Sequence, residues 1–171
     1  MAPARLIALY FERTRRYSAL RLIAEMALVP FPLKFALGLI YVALGGEEFT
    51  STTEALARAG VPALIVGALL IAPLLETFTG QWFGFWLVSR FTAAVPTLVA
   101  LSALFFALQH LHVGVAGAAT AFPPGVFLSW CFLVGRRQSR WRAYWTTAAT
   151  HALHNACSLA LHAAFYGLDT L

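Results

Sequence analysis

The sequence predicts an all-α fold: a polytopic transmembrane helical bundle of about five spans, with a cytoplasmic N-terminus. Of the 171 residues, 60% are apolar and only 11% are charged, and the mean hydropathy is +0.75. This is the composition of a membrane protein, and the predicted spans leave no room for a separate soluble domain. The net charge of +5 comes mainly from arginines beside apolar runs. We interpret these arginines as topology signals and not as a nucleic-acid surface.

A basic N-terminal segment, residues 1–23, precedes a single transmembrane domain, residues 24–171. The segment carries several arginines against one acid, Glu12. A short apolar stripe predicts a helix on the cytoplasmic surface, with its arginines toward anionic lipid. A frayed basic tail is the alternative.

The first span is predicted at residues 24–45. Pro30 and Pro32 are expected to kink or break it near its start, because proline removes a helical hydrogen bond. Lys34 lies inside this span and is expected to snorkel toward the membrane surface. An acidic outer loop, 46–60, follows and includes a short helix.

The second span is predicted at residues 62–85, and its helix can continue to Arg90. The third span begins near Thr92, and the sequence leaves its end open. It stops at Leu111, or it runs on through the small residues of 114–121.

The Pro-Pro-Gly run at 123–125 predicts the firmest helix break of this half of the chain. A fourth span is predicted at 126–134, and it is longer if the small-residue stretch before the prolines belongs to it. An arginine-rich loop at 135–142 and a fifth span at 143–166 complete the chain. An inside N-terminus places most of the basic residues in the cytoplasm, as the positive-inside rule requires.

Polar side chains occur in three of these apolar helices. They are Glu76 in the second span, His110 in the third, and His151 with Asn155 in the fifth. A carboxylate near mid-bilayer costs about 2.5–3.5 kcal/mol, so such residues usually face one another or a wet cavity and are functional candidates. His151 and Asn155 are four residues apart and share one helix face. Two such groups can donate hydrogen bonds to one developing oxyanion.

Each grouping also has a purely structural interpretation. Glu76 can be a protonated acid bonded to a neighbouring helix, and His110 can lie at the membrane interface. His151 and Asn155 can form a polar contact between helices. His154 and His162 are assigned only to packing or to the interface.

The three groupings, in this order, resemble the motifs of the CAAX-protease and bacteriocin-processing (CPBP) family of intramembrane proteases, the Rce1-like group. The family patterns are Glu-Glu-x-x-x-Arg, Phe-x-x-x-His and His-x-x-x-Asn. Glu76 matches the first glutamate. Phe106 with His110 matches the second pattern in full, and His151 with Asn155 matches the third. The resemblance covers residues 61–158, the protease-like core.

The first motif departs from the family pattern at two positions. Thr77 stands in place of the second glutamate, and Gln81 stands in place of the arginine. A neutral Thr and Gln keep hydrogen-bonding capacity and avoid an unpaired buried charge. Thr77, Gln81 and Phe106 are therefore assigned supporting roles.

The resemblance implies an intramembrane endopeptidase that cleaves a membrane-associated protein or peptide. Glu76, assisted by His110, would deprotonate a water, and His151 and Asn155 would stabilise the oxyanion. No cofactor is expected. Glu76, His110 and His151 could form an open zinc site, but they lie on separate helices without an HExxH signature.

The expected partners are this substrate and the lipid bilayer, not nucleic acid, in a bacterial-type cytoplasmic (inner) membrane. The sequence does not indicate an oligomeric state. Two other functions stay open: a non-catalytic scaffold or immunity protein of the same fold, and a small proton-coupled transporter. An inverted repeat would favour transport, and we find no internal repeat.

The peptidase hypothesis makes one geometric demand. Glu76 and His110 must lie well within about 10 Å of each other, because a general base works by hydrogen bonds, directly or through water. A helix rises about 1.5 Å per residue. The hypothesis therefore predicts that the third span takes the longer course, toward Ala119, which would bring His110 to the level of the other groups.

Overall fold

The structure is a computed structural model that describes residues 3–44 and 60–166, and these residues are almost entirely helical, without a strand. The helices are α1 (Pro3–Thr14), α2 (Ala19–Leu28), α3 (Pro30–Ala43), α4 (Val61–Val88), α5 (Val95–Leu108), α6 (Gly114–Arg136) and α7 (Arg140–Tyr166). The predicted all-α class is confirmed. The predicted outer loop 46–60 and its short helix lie outside the described residues, apart from Gly60.

Among the described residues, three helical stretches are long and apolar enough to cross a membrane. The first is Ala19–Ala43, which comprises α2 and α3, and the second is Val61–Val88, which is α4. The third is Leu111–Arg136, which comprises α6 and the turn before it. Helix α5 is apolar but shorter. The count of five spans and the cytoplasmic N-terminus stay predictions.

Helix α6 lies at the centre of the bundle and packs against α2, α3, α4, α5 and α7. It runs without interruption through Pro123 and Pro124, so the predicted break at 123–125 is wrong. Proline removes a backbone donor from a helix. Membrane helices tolerate that loss where neighbouring helices surround the proline, and both prolines are buried among α6's neighbours.

The chain breaks earlier, between α5 and α6. Helix α5 ends at Leu108, and a 3₁₀ turn at Leu111–Val113 follows. Gly114 then takes φ +92°, a conformation that glycine adopts without steric cost. The prediction of a longer third span is therefore wrong, and His110 lies at the end of α5 instead of inside a continuous helix.

The predicted break near the start of the first span is confirmed. Helix α2 ends at Leu28 and α3 begins at Pro30. Proline is favoured at the first helical position because its missing N–H has no intrahelical partner there.

Helix α1 docks on the C-terminal end of α6. Phe11 and Thr14 are buried, and the Trp130 indole N–H donates a hydrogen bond of 3.0 Å to the Thr14 hydroxyl. The Arg137 guanidinium lies 4.5 Å from the centre of the Phe11 ring. The alternative of a frayed tail is therefore wrong for the described part of this segment. Arg137 of the arginine-rich loop therefore lies beside α1, as an orientation with both basic segments on one side of the membrane requires.

Candidate active site

Glu76 lies between two wide turns of helix α4. The segments Gly67–Ile71 and Thr77–Phe83 are π-helical, and the α-helical segment Ala72–Glu76 separates them. Wide turns of this kind re-aim side chains and free backbone carbonyls, and they are frequent at functional sites. Pro73, which is buried, contributes to the same irregularity because it cannot donate a backbone hydrogen bond.

The side chains of His110, just after α5, and of His151, on α7, converge on Glu76 of α4. Its Oε2 lies 3.6 Å from His110 Nε2 and 3.9 Å from His151 Nε2. The side chains are 22%, 19% and 4% exposed, respectively. The geometric demand on Glu76 and His110 is therefore met, although the longer span that was expected to meet it does not form. The break after Leu108 leaves His110 within reach of α4.

The orientation of His110 is set by its own helix. Its Nδ1 lies 3.0 Å from the Phe106 carbonyl oxygen, and a carbonyl oxygen only accepts, so Nδ1 donates. The Nε2 atom that faces Glu76 is then an acceptor when the ring is neutral. Two acceptors 3.6 Å apart need a donor between them, and a water molecule can donate to both.

Phe106 supports both imidazoles. Its ring centroid lies 4.9 Å from that of His110 and 5.3 Å from that of His151. A Cβ added at Gly80 would lie 3.2 Å from Phe106 Cβ, and one added at Gly125 would lie 3.0 Å from Phe106 Cδ1. Glycines on α4 and α6 therefore allow these helices to close around Phe106.

Asn155 ties α7 to the first wide turn of α4. Its Nδ2 donates a hydrogen bond of 2.8 Å to the Ala68 carbonyl oxygen. An asparagine amide carries two N–H donors, so one donor is left. His151, one turn earlier on α7, keeps its Nδ1 without a hydrogen-bond partner among the described residues.

These groups line one cavity of about 220 Å³. A water molecule takes about 30 Å³ of liquid volume, so the cavity has room for several. Its polar lining includes Glu76, His110, His151, Asn155, Lys34 and His154.

The supporting residues divide into two kinds. Phe106 lines the cavity, whereas Thr77 and Gln81 do not. Both Thr77 and Gln81 are fully buried, and their side-chain polar atoms have no hydrogen-bond partner in the described parts of the chain. Their supporting role at the site stays a prediction.

Lys34 and His154 also line the cavity, although the sequence predicted neither of them at the site. The prediction that Lys34 snorkels to the surface is wrong, since it lines the cavity with Glu76. The signal was present in the sequence, because a single cation inside an apolar span is a functional candidate by default. His154 packs on α2 and α3, with Nδ1 2.8 Å from the Ala27 carbonyl oxygen and its ring stacked on Phe31.

A family model described as "Type II CAAX prenyl endopeptidase Rce1-like" matches residues 58–157, more than half of the chain. This range contains Glu76, His110, His151 and Asn155. No match was found among curated proteins or among solved structures. The family consists of CAAX-type intramembrane proteases, and it indicates, with the three long apolar helices, an integral membrane protein. The chain belongs to the Rce1-like family of type II CAAX prenyl endopeptidases.

Proposed function

We propose that this protein is an intramembrane endopeptidase that cleaves a membrane-associated protein or peptide with a water activated by Glu76 and His110. One observation carries the proposal. A carboxylate and two imidazoles from separate helices lie around one point of a cavity, with Glu76 Oε2 3.6 Å from His110 Nε2 and 3.9 Å from His151 Nε2.

A water that lies beside these groups can contact them together, and no direct hydrogen bond between the groups competes with it. Both separations are longer than a direct hydrogen bond, which spans about 2.7–3.2 Å between nitrogen and oxygen. A water that donates to Glu76 and to His110 keeps its lone pairs free for a peptide carbonyl carbon. Glu76 takes one proton from this water as the oxygen attacks.

His151 and Asn155 can stabilise the oxygen of the tetrahedral intermediate. His151 is almost fully buried, at 4% exposure, and Asn155 retains one N–H beyond its bond to the Ala68 carbonyl. Donors fixed in a site that excludes bulk water stabilise developing charge most strongly. When the C–N bond breaks, Glu76 returns its proton to the leaving amine.

We also propose that the reaction requires no metal. Glu76, His110 and His151 belong to separate parts of the chain without an HExxH signature, and the described residues contain no group of three or more His, Cys, Asp or Glu able to hold a metal ion. These residues therefore favour general-base activation of a water over zinc.

The natural substrate is unidentified, so the proposal is tested by detecting the new protein termini that cleavage creates in cells. Cells that express the wild-type protein, Glu76→Gln or His110→Ala are compared by mass spectrometry of new termini in membrane-associated proteins. Removal of a general base or its partner costs about 10²–10⁴ in rate, so the wild-type-dependent termini are expected to disappear in both variants. Glu12→Gln is the matched control, because Glu12 is exposed and pairs with Arg15 far from the cavity.

Termini that persist in both site variants would contradict the proposal. A proton flux across reconstituted vesicles that depends on Glu76, without any cleavage, would instead support the transporter. Normal partner maturation with every variant would support a scaffold or immunity protein.

A further inference from the structure

Lys34 is a cation that the proposed mechanism does not use. It is the only lysine of the sequence, and its side chain lines the same cavity as Glu76. The imidazoles of His110, His151 and His154 line this cavity as well. Among the described residues it forms no ion pair with a carboxylate.

An ammonium group inside a membrane is stable when it is hydrated or paired with an anion. Within the described lining of the cavity, Glu76 is the one acidic side chain. That carboxylate faces His110 and His151 and not Lys34. The cavity therefore presents an acid and a cation as two separate polar groups, and the cation is not paired with a carboxylate in the described parts of the chain.

We infer that Lys34 binds a carboxylate of the substrate and thereby positions the scissile peptide bond against Glu76. The inference rests on the function proposed above for this site. The carboxylate is either the terminal carboxylate of the chain or the side chain of an Asp or Glu. Lys34 is in this account a specificity-determining residue.

The size of the cavity limits where that carboxylate lies. At about 220 Å³ it is smaller than the 300–1,000 Å³ of pockets that enclose drug-sized ligands. Only a short piece of peptide fits between Lys34 and Glu76. The bound carboxylate is therefore close in sequence to the bond that is cleaved.

Three series of labelled apolar peptides test the inference with the full-length protein in vesicles. The peptides share one sequence and end in a free carboxylate, in a carboxamide, or in a carboxamide preceded by one Asp. Cleavage is followed by mass spectrometry, and binding is followed in parallel by fluorescence anisotropy, which needs no turnover. The proteins are wild type, Lys34→Met, Lys34→Arg and Arg90→Met. Arg90 is the matched control, because it is an exposed cation that lies 4.2 Å over the Trp86 ring.

The wild type is expected to bind one carboxylate-bearing series at least about tenfold more tightly than the plain carboxamide, since a hydrogen bond to a charged group is worth that much. The preferred series identifies the source of the carboxylate. Lys34→Met is expected to lose the preference through KM with little change in kcat, whereas Lys34→Arg and Arg90→Met retain it.

Equal binding of all three series by the wild type would overturn the inference. So would a Lys34→Met variant in which kcat falls equally for every peptide, because that result describes a counter-ion of Glu76 and not a substrate contact. Continued cleavage by Glu76→Gln would refute the proposed function instead, and the binding data would still decide the role of Lys34.

Discussion

Gly125 lies where helix α6 meets α5 directly under Phe106. A Cβ added at this position would lie 3.0 Å from Phe106 Cδ1, 3.1 Å from the Ala103 carbonyl oxygen and 3.3 Å from Ala103 Cα. The ring can turn, but the Ala103 backbone belongs to a helix and cannot yield locally. Gly125→Ala is therefore expected to push α5 away from α6 and to shift the ring that supports both imidazoles.

The cost can be estimated against a matched variant. Gly38 lies in helix α3, and a Cβ added there meets nothing within 4 Å. Both substitutions gain helix propensity, up to about 1 kcal/mol each, so their difference isolates the overpacking cost of about 1–3 kcal/mol. At about 2–4 °C per kcal/mol for a chain of this length, Gly125→Ala should unfold about 2–12 °C below Gly38→Ala.

Thermal unfolding of both purified variants in the same detergent measures this difference, with circular dichroism to confirm equal helix content at low temperature. Cleavage by Gly125→Ala is expected to fall as well, since Phe106 contacts His110 and His151. Equal unfolding temperatures for the two variants would refute the close approach of α5 and α6 on which the site geometry depends.

Three further results are expected. Glu25→Gln should lower the pKa of Tyr10 from about 12 toward its ordinary value without reaching it, because burial is the largest cause of the raised pKa and the charge and hydrogen bond of Glu25 are the next ones. Ultraviolet titration, with Tyr10→Phe as the reference, measures this pKa. An unchanged pKa would argue against the contact between Tyr10 and Glu25. Gln81→Leu should leave the unfolding temperature equal or higher, because the buried Gln81 amide has no hydrogen-bond partner among the described residues. A fall of several degrees would instead show that the amide forms a hydrogen bond. Cleavage should survive treatment with 1,10-phenanthroline, and inhibition that added zinc reverses would establish a metal mechanism.

The four proposed catalytic residues could be found from the sequence because each is a polar group in an apolar helix, where it carries a free-energy cost. The four-residue spacing of His151 and Asn155 also fixed their common face. Their convergence could not be derived from spacing alone. It depends on Phe106, which is buried at 2% exposure, and on the glycines that let α4 and α6 approach it.

The course of the chain between α5 and α6 could not be predicted correctly. The sequence offers two competing break signals, one at Gly114 and one at Pro123 and Pro124. Burial of the prolines among neighbouring helices preserved the helix there, while Gly114 adopts φ +92° and ends the turn after α5. Tertiary packing decides which of these two signals ends the helix, and local helix propensity carries no information about that packing.

The orientation of Lys34 is another tertiary effect. Helix α3 is apolar on most sides, so periodicity does not identify the face that packs on α6. That face turns Lys34 into the cavity instead of toward the membrane surface. A lysine stem is long enough to reach either environment.

The central claim is that Glu76 and His110 act as one unit on a single water. Its most direct test is the kcat of Glu76→Gln, His110→Ala and the double variant, measured on a protein cleaved by the wild type and with folding confirmed for each. Residues that act as a unit are strongly non-additive. The double variant is therefore expected to be no slower than the slower single variant. Losses that multiply would show that the two residues act independently, and would contradict the account.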